Sequence, residues 1–401
     1  MSSTQPIVLA FSGGLDTSFC VPWLKDKGYE VTTAYVDTGG TSDDEKAYIE
    51  ERAMSLGAVR HVTLERSQAL WHQVVVPLVQ SNEWYQGQYP LLCSDRYLIV
   101  EACVELAKDI GARSVAHGCT GMGNDQVRFD LSLSALCDLE IVAPIRELQK
   151  QVSQVRDYEI DYLKQLGFEV RDKSSQYSIN ENLLGVTISG GEIDEWLPPS
   201  DDVWQWTKPA QDWPNQQLQT QLQFDHGVPV ALDGQELPGP AMLSKLNQAL
   251  GRYGVGRGIY TGDTTIGLKG RIAFEAPGIV ALCAAHRALE ETTATRLQSQ
   301  FKPLVANKWV ELVYQGFFFE PLKKDLDAYL SASQASVSGV VTLTTSGGQV
   351  LASAVESDNI LKASDAVYAQ SASWTPEEAV GFVKLLGQST ELWTKKHRVG
   401  S

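Results

Sequence analysis

Short apolar runs alternate with amphipathic helical stretches over the first 170 residues. The runs are rich in β-branched residues, as is typical of buried strands. Five of them are predicted to be strands: 7–10, 31–36, 59–64, 114–117 and 141–145. Helical patterns between them end at Gly28 and Gly57, where glycine suits a helix C-terminus, and a long helix is predicted from 145 to about Gly167. This alternation predicts an α/β fold with a doubly wound parallel sheet.

The pattern changes near residue 170. Residues 174–192 are polar and loop-like, and residues 198–214 are rich in proline and tryptophan. Alternation at 218–230 and 338–355 predicts strands and hairpins. Helical patterns cover 241–250, 280–300 and 303–333, and a last helix is predicted from Thr375-Pro376 to about Leu386. This mixture predicts a separate α+β part followed by a terminal helix.

The first strand runs directly into a glycine-rich turn. Ser12-Gly13-Gly14 breaks the strand, and Asp16, Thr17 and Ser18 follow as residues typical of a helix start. A strand, a tight loop and a helix N-terminus together present backbone N–H groups and hydroxyls to an anion, so this stretch predicts a phosphate cradle. It is neither a Walker A loop nor a Gly-x-Gly-x-x-Gly motif. A plain turn between a strand and a helix is the alternative.

Two further strand ends are polar. Residues 118–129 read Gly-Cys-Thr-Gly-Met-Gly-Asn-Asp-Gln-Val-Arg-Phe, a second glycine-rich loop dense in hydrogen-bonding groups. The second strand ends in Asp37-Thr38-Gly39-Gly40. Polar ends of buried strands commonly face the ligand in an open α/β sheet. These loops therefore favour a binding site at that edge of the sheet.

Composition narrows the function classes. A formal net charge of −16 over 401 residues argues against a nucleic-acid partner, although a small nucleotide can still bind. Six cysteines without a Cys-x-x-Cys pair argue against a disulfide framework or a zinc ribbon. No run approaches 18 consecutive apolar residues, and no charged leader or apolar signal precedes the first strand. We therefore expect a cytoplasmic enzyme with no membrane partner.

With both loops considered, the sequence resembles a known enzyme family. Residues 10–18 resemble the pyrophosphate loop of the N-type ATP pyrophosphatases, a motif that several synthetases and sulfur transferases share. Residues 117–129, 177–183 and 266–271 resemble the second, third and fourth signatures of argininosuccinate synthases. The second signature is highly specific, and all four occur in order.

The resemblance implies a ligase of arginine biosynthesis that condenses citrulline with aspartate. ATP would be a substrate accompanied by Mg²⁺, with no metal held by the protein alone, and a citrullyl-adenylate would form as pyrophosphate leaves. It implies an adenine nucleotide α-hydrolase-like nucleotide-binding domain at 1–168, an α+β synthetase domain for catalysis and multimerisation at 169–360, and a C-terminal tail at 361–401 whose helix supports a homotetramer. No covalent nucleophile is needed, because positioning two substrates against one phosphate suffices.

The resemblance also assigns roles to residues. For ATP it implies Ala10, Phe11, Ser12, Gly13, Gly14, Leu15, Asp16, Thr17, Ser18, Asp37, His117 and Gly118. For aspartate it implies Thr120, Asn124 and Asp125, and for citrulline Tyr89, Ser94, Asn124, Arg128, Ser178, Thr187, Asp263 and Phe274. Asp16, Thr17, Asp125 and Arg128 are the expected catalytic residues, with Asp125 suited to an α-ammonium and Arg128 to a carboxylate through a bidentate fork. Helix capping by Asp16 and a surface ion pair of Arg128 are the alternative readings.

The positions at which this sequence departs from the family pattern are mostly those expected to bind citrulline. Gly262 and Phe274 replace the family's Glu and Tyr, and Asp263 stands one residue along. Tyr89 and Ser94 match the family's Tyr-x4-Ser pair in spacing only. Asp37 stands where the family usually has a small residue, and we expect it to contact adenine or ribose. Two alternatives therefore stay open: a related ligase acting on a modified citrulline, and a non-catalytic ATP-binding sensor.

Overall fold

Five parallel strands form the sheet that positions the first half of the chain. In the computed structural model, which describes residues 5–170, 177–363, 367–368 and 370–398, these strands are β1 (Gln5–Ala10), β2 (Tyr29–Asp37), β3 (Arg60–Glu65), β4 (Ser114–Ala116) and β5 (Glu140–Val142). Their order is β3-β2-β1-β4-β5, and every neighbouring pair is parallel. The predicted doubly wound sheet is confirmed. The order reverses between β1 and β4, so a crevice lies at their carboxyl ends.

Eight helices accompany this sheet within the described residues. They are α1 (Leu15–Asp26), α2 (Asp43–Ser55), α3 (Ser67–Leu70), α4 (Val76–Ser81), α5 (Asp95–Asp109), α6 (Asn124–Leu136), α7 (Pro144–Gln149) and α8 (Val155–Gln165). A π-helical turn at Trp71–Val75 joins α3 to α4, and a 3₁₀ turn at Leu92–Ser94 precedes α5. The single long helix predicted after β5 is wrong, since α7 and α8 are separate. Leu148 of α7 and Leu163 of α8 pack into the same core, which explains why the apolar pattern looked continuous.

The second half contains two antiparallel sheets. Its strands are β6 (Tyr177–Asn182), β7 (Gly185–Gly190), β8 (Leu218–Asp225), β9 (Val228–Leu232), β10 (Gln235–Glu236), β11 (Arg257–Asp263), β12 (Lys269–Glu275), β13 (Gly339–Ser346) and β14 (Gln349–Glu356). One sheet has the order β11-β12-β7-β6 and the other β10-β9-β8-β13-β14. The first of these brings the third and fourth signature segments into one sheet.

Helices cover these sheets. They are α9 (Gly239–Gly251), α10 (Pro277–Thr293), α11 (Arg296–Gln315) and α12 (Pro321–Ala332). The helix predicted over 303–333 is two helices, because Gly316 ends α11 in the left-handed region at φ +102° and Pro321 starts α12. Short 3₁₀ turns lie at Gly191–Ile193 and Ala210–Asp212.

Residues from the first half contribute to the core of the second. The largest buried apolar cluster contains Leu70, Leu78 and Tyr97 together with residues of α9 to α11, such as Leu243 and Trp309. The segment that connects α4 to α5 contributes to the same cluster, so it packs against the α+β part. The polar aromatic stretch 84–90 lies in this segment.

The chain divides into two compact units, Met1–Asn359 and Ile360–Ser401. The second unit contains α13 (Pro376–His397), which begins with a capping box of Thr375 and Glu378 and extends well beyond the predicted end at Leu386. None of its described side chains is buried. Across the described ranges, every helix is too short or too polar to cross a membrane.

Candidate active site

The first glycine-rich turn forms an open cradle at the carboxyl end of β1. Gly13 adopts φ +76°, a left-handed conformation that glycine reaches without strain. Ser12 Oγ and Thr17 Oγ1 lie 3.2 Å apart, and Thr17 Oγ1 donates to the carbonyl of Gly14 at 3.3 Å. Gly14 caps α1 without any side-chain capping bond, so the first N–H groups of this helix are not occupied by a cap. This geometry suits a phosphate group.

The second glycine-rich loop lies directly against the first. A Cβ built on Gly118 would lie 3.1 Å from Thr17 Cγ2 and 3.4 Å from Asp16 Cβ. Only a residue without a side chain lets the backbone after β4 approach this closely. The two loops therefore form one continuous surface across the crevice.

Two residues that are predicted to bind the nucleotide form hydrogen bonds or ion pairs within the protein. His117 is buried, its Nε2 lies 2.9 Å from Asp130 Oδ1, and its Nδ1 accepts the N–H of Cys119 at 3.2 Å. These bonds shape the loop after β4. Asp37 is also buried, pairs with Lys46 and accepts the N–H of Gly39 at 2.9 Å. The cation offsets the repulsion that an extra carboxylate would exert on a nucleotide phosphate.

The start of α6 carries the residues predicted to bind the amino acids. Asn124 Oδ1 accepts the backbone N–H of Thr265 at 2.9 Å, so the loop between β11 and β12 reaches the nucleotide-binding half. Asp125 Oδ1 accepts from Arg128 Nη1 at 2.8 Å. Thr120 lies in the preceding loop, half-buried. The structure therefore brings Asn124, Asp125 and Arg128 to one place at the mouth of the crevice.

Several residues at this place were missed by the sequence prediction. Arg96 donates from Nε to Asp125 Oδ2 at 3.1 Å, and Tyr314 of α11 accepts a 3.3 Å hydrogen bond from the side-chain amide of Asn124. Burial acts to raise the pKa of Asp125, but Arg96 and Arg128 outweigh it and hold that pKa below its usual value. Neither Arg96 nor Tyr314 lies in a signature segment, so no local pattern indicated them.

An aromatic cluster lines the neighbouring wall. Tyr85 stacks on Tyr314 with ring centroids 3.7 Å apart, and Tyr89 lies 5.6 Å from Tyr260 and 5.8 Å from Phe274. Tyr89 is buried, as is typical of a residue that shapes a pocket wall. The polar aromatic stretch 84–90 was the signal that could have identified Tyr85.

Other predicted citrulline residues are less close to this cluster. Ser94 is fully buried and donates its hydroxyl to the carbonyl of Leu91 at 2.8 Å. Thr187 on β7 is the register partner of Phe274 on β12, and Ser178 is exposed on β6. No hydrogen bond or ring contact given for the described residues joins Ser178 to α6. Its role stays a prediction.

Gln86 occupies the space beside Gly262. A Cβ on Gly262 would lie 2.2 Å from Gln86 Oε1 and 2.5 Å from Tyr260 Oη. Gln86 Nε2 also donates to Asp263 Oδ2 at 2.8 Å, and Lys269 pairs with the same carboxylate. Hydrogen bonds from Lys269 and Gln86 lower the pKa of Asp263. The carboxylate predicted to bind an ammonium group thus already has two partners.

One carboxylate lies beside the cradle, in the first turn of α1. Over the described ranges, no cluster of three or more His, Cys, Asp or Glu side chains could hold a metal ion. Asp16, exposed beside the cradle, can supply one carboxylate to Mg²⁺, which commonly takes its other ligands from phosphate oxygens and water.

Comparisons with known proteins show the family to which the chain belongs. A family model described as Arginosuccinate synthase N-terminal HUP domain matches residues 6–169, and one described as Arginosuccinate synthase C-terminal domain matches residues 177–393. The argininosuccinate synthase of Xanthomonas campestris pv. campestris is 57% identical over 99% of this chain and 100% of its own length. That of Xylella fastidiosa is 55% identical over 99% of each chain, and that of Pyrococcus furiosus is 39% identical over 98% of this chain and 96% of its own. The chain belongs to the argininosuccinate synthase family.

Proposed function

We propose that this chain condenses citrulline with aspartate to give argininosuccinate, AMP and pyrophosphate. The observation that best supports this is the contact of Gly118 with Asp16 and Thr17, because it joins a phosphate cradle to the loop that leads into α6. Asn124, Asp125 and Arg128 follow within one turn of that helix. A nucleotide and two amino acids can therefore meet at one point of the crevice.

In the first step, the ureido oxygen of citrulline attacks the α-phosphorus of ATP. The bond between the α-phosphorus and the bridging oxygen breaks, and pyrophosphate leaves with the electron pair. Hydroxyls of Ser12, Thr17 and Ser18, with the N–H groups at the start of α1, would stabilise the charge that develops on the leaving group. Mg²⁺, with Asp16 as one ligand, would neutralise part of that charge when bound.

In the second step, the α-ammonium of aspartate releases a proton to solvent, and the resulting amine attacks the activated ureido carbon. AMP leaves with the bonding pair, and the nitrogen loses a second proton as the C–N bond forms. Asp125 would bind the α-ammonium of aspartate, with Thr120 and Asn124 orienting its carboxylates. Positioning accounts for the catalysis, since an oriented nucleophile next to an activated carbon needs no covalent enzyme intermediate.

The citrulline side supports a second candidate substrate. The family's Glu is Gly262 here, its space is filled by Gln86, and Asp263 is paired with Lys269. With the space of the family's Glu filled by the uncharged amide of Gln86, this position suits a citrulline whose α-nitrogen carries no charge. A ureido acid acylated on that nitrogen is the alternative substrate.

Pyrophosphate release separates these possibilities. Purified protein is incubated with ATP, Mg²⁺ and aspartate, and receives citrulline or N-acetylcitrulline in parallel. Release that depends on citrulline, with argininosuccinate as the product, supports the main proposal. Release with the acetylated compound alone supports the alternative, and ATP binding without release with either compound supports a sensor.

We also propose a homotetramer in the cytoplasm, with α13 contributing to assembly. The apolar residues of α13 are exposed in the single chain, and they include Phe382, Leu385, Leu386 and Trp393. Exposed apolar side chains along one helix favour contact with another subunit. Light scattering of the full chain and of a variant ending at residue 360 tests this, because the shortened variant is expected to lose tetramers.

A further inference from the structure

Arg96 is a partly buried cation to which the proposed reaction assigns no role. It lies in the first turn of α5, with its side chain 12% exposed. Its Nη1 donates to both carboxylate oxygens of Asp95, at 2.7 Å each, and its Nε donates to Oδ2 of Asp125 at 3.1 Å. The guanidinium therefore lies between a carboxylate of its own helix and one of α6.

Asp125 is held at both oxygens. Arg96 binds Oδ2 from α5, and Arg128 binds Oδ1 from the next turn of α6 at 2.8 Å. Rotation of the carboxylate would break at least one of these charge-assisted bonds. The bond from Arg96 is the one that ties this orientation to a neighbouring helix.

Arg96 also supports the negative charge of Asp125. Burial disfavours the ionised carboxylate, and the positive charges of Arg96 and Arg128 act against that effect and hold the pKa of Asp125 below its usual value. A carboxylate that binds an ammonium group needs to stay ionised. Arg96 thus helps to fix the orientation of the Asp125 carboxylate and supports its negative charge.

Arg96 can be studied separately from Arg128. Arg128 also donates from Nε and Nη2 to the carbonyl of Tyr314, so its removal disturbs the contact between α6 and α11. The hydrogen bonds of Arg96 described above remain between α5 and α6. A substitution of Arg96 therefore affects Asp125 while leaving the Arg128–Tyr314 contact intact.

We propose that Arg96 is a positioning residue for aspartate: it holds the Asp125 carboxylate in the orientation that receives the substrate's α-ammonium. Arg96 itself does not touch the substrate. This inference rests on the proposed function, in which Asp125 binds aspartate.

Steady-state kinetics of Arg96→Gln test the proposal. We expect KM for aspartate to rise about tenfold or more, with KM for ATP and citrulline within about twofold, because displacement of one binding group affects one substrate. Arg96→Lys keeps the charge and recovers part of the loss. The matched control is Arg66→Gln, which removes the ion pair of Arg66 with Glu105 at the exposed side of α5 and leaves all three KM values unchanged.

A second variant guards against misfolding. Arg96→Gln leaves Asp95 buried without its cation, so the double variant Asp95→Asn/Arg96→Gln is measured beside it. Both variants are expected to show the same selective rise in KM for aspartate.

The outcomes distinguish the positioning role of Arg96 from the proposed function on which it rests. If the variants turn over with an unchanged KM for aspartate, or if all three KM values rise together, the positioning role is wrong and the proposed function stands. If the wild-type protein releases no pyrophosphate with either ureido acid, the proposed function is wrong, and the role of Arg96 is overturned with it.

Discussion

Arg128 donates two hydrogen bonds to the backbone carbonyl oxygen of Tyr314, from Nε at 3.1 Å and from Nη2 at 2.9 Å. Its Cζ also lies 5.0 Å from the centroid of the Tyr314 ring. The guanidinium fork predicted to bind a substrate carboxylate thus faces the end of α11 in this structure. One buried residue joins the nucleotide-binding half to the α+β part and stands beside Asp125.

Arg128→Ala is therefore expected to reduce both activity and stability. The substitution leaves Asp125 with one arginine and the Tyr314 carbonyl without its donor. Loss of the donor to this buried carbonyl, together with one ion pair, lowers the free energy of unfolding by about 1–3 kcal/mol. Urea unfolding measures this, and pyrophosphate release is expected to fall with an increased KM for the amino acids.

Lys150→Ala is the matched control for that measurement. Lys150 forms an exposed ion pair with Glu147 on α7, and such pairs contribute about 0–1 kcal/mol. An Arg128→Ala protein with near-normal stability, turnover and apparent affinity would contradict both roles.

Gly262→Ala is expected to be destabilising for a steric reason. The added methyl group would lie 2.2 Å from Gln86 Oε1 and 2.5 Å from Tyr260 Oη. Overpacking of this kind costs about 1–3 kcal/mol, and Gln86→Ala in the same chain should restore part of it, because it removes the closer contact and leaves the one with Tyr260. Thermal unfolding of the single and double variants measures the coupling.

Gly381→Ala provides the comparison for Gly262→Ala. Gly381 lies inside α13, and nothing lies within 4 Å of a Cβ built there. Alanine favours a helix interior over glycine by about 1 kcal/mol, so this variant should not be destabilised. Full stability of Gly262→Ala would show that Gln86 moves away freely.

Asp263→Asn is expected to weaken the binding of citrulline and to leave the binding of ATP unchanged. Its carboxylate lies at the end of β11 beside Gln86 and Lys269, away from the phosphate cradle. Lys269→Gln should strengthen the binding of citrulline, because it frees the carboxylate of Asp263 for a substrate ammonium. KM values for both substrates are the measurement, and an equal loss for citrulline and ATP in Asp263→Asn would rule out this assignment.

Glu159 is expected to make stability depend on pH. It is buried on α8, no hydrogen-bond partner of its Oε1 lies among the residues that the structure describes, and burial together with the nearby Asp16 raises its pKa to about 8. Between its ordinary pKa and about 8, the native state keeps a proton that the unfolded chain has released. The free energy of unfolding therefore falls as the pH rises through this range.

Glu159→Gln removes this dependence, since the amide does not titrate. The variant should gain stability relative to the wild type as the pH rises, by up to about 5 kcal/mol above pH 8. Urea unfolding at about pH 5, 6.5 and 8 measures the difference, with Glu147→Gln on the surface as the control. A difference that is the same at every pH would show that Glu159 is ionised throughout.

Local patterns identified the framework of this protein. Strand–helix alternation over the first 170 residues predicted a parallel sheet, which the order β3-β2-β1-β4-β5 confirms. The two glycine-rich loops were also visible, because glycine and small polar residues at a strand end are a property of a few consecutive positions. Their family resemblance is confirmed as well. The roles assigned to individual site residues remain predictions.

Some helix boundaries in both halves of the chain could not be predicted from the sequence. The break between α11 and α12 depends on a single glycine in the left-handed region, and the break between α7 and α8 interrupts a continuous apolar pattern. Apolar periodicity reports which side chains face the core, and it can continue across a turn when both helices pack on the same core.

By itself, the sequence determined the parallel sheet, the two glycine-rich loops and the family, because each depends on residues close together in the chain. Only the tertiary structure shows that Arg128 contacts Tyr314, 186 positions away. It alone also shows that Gln86 occupies the space into which a side chain at position 262 would extend. Such contacts arise when α11 and the β11–β12 hairpin pack against the nucleotide-binding half. No local pattern encodes them, because the partners become neighbours only after the core has formed.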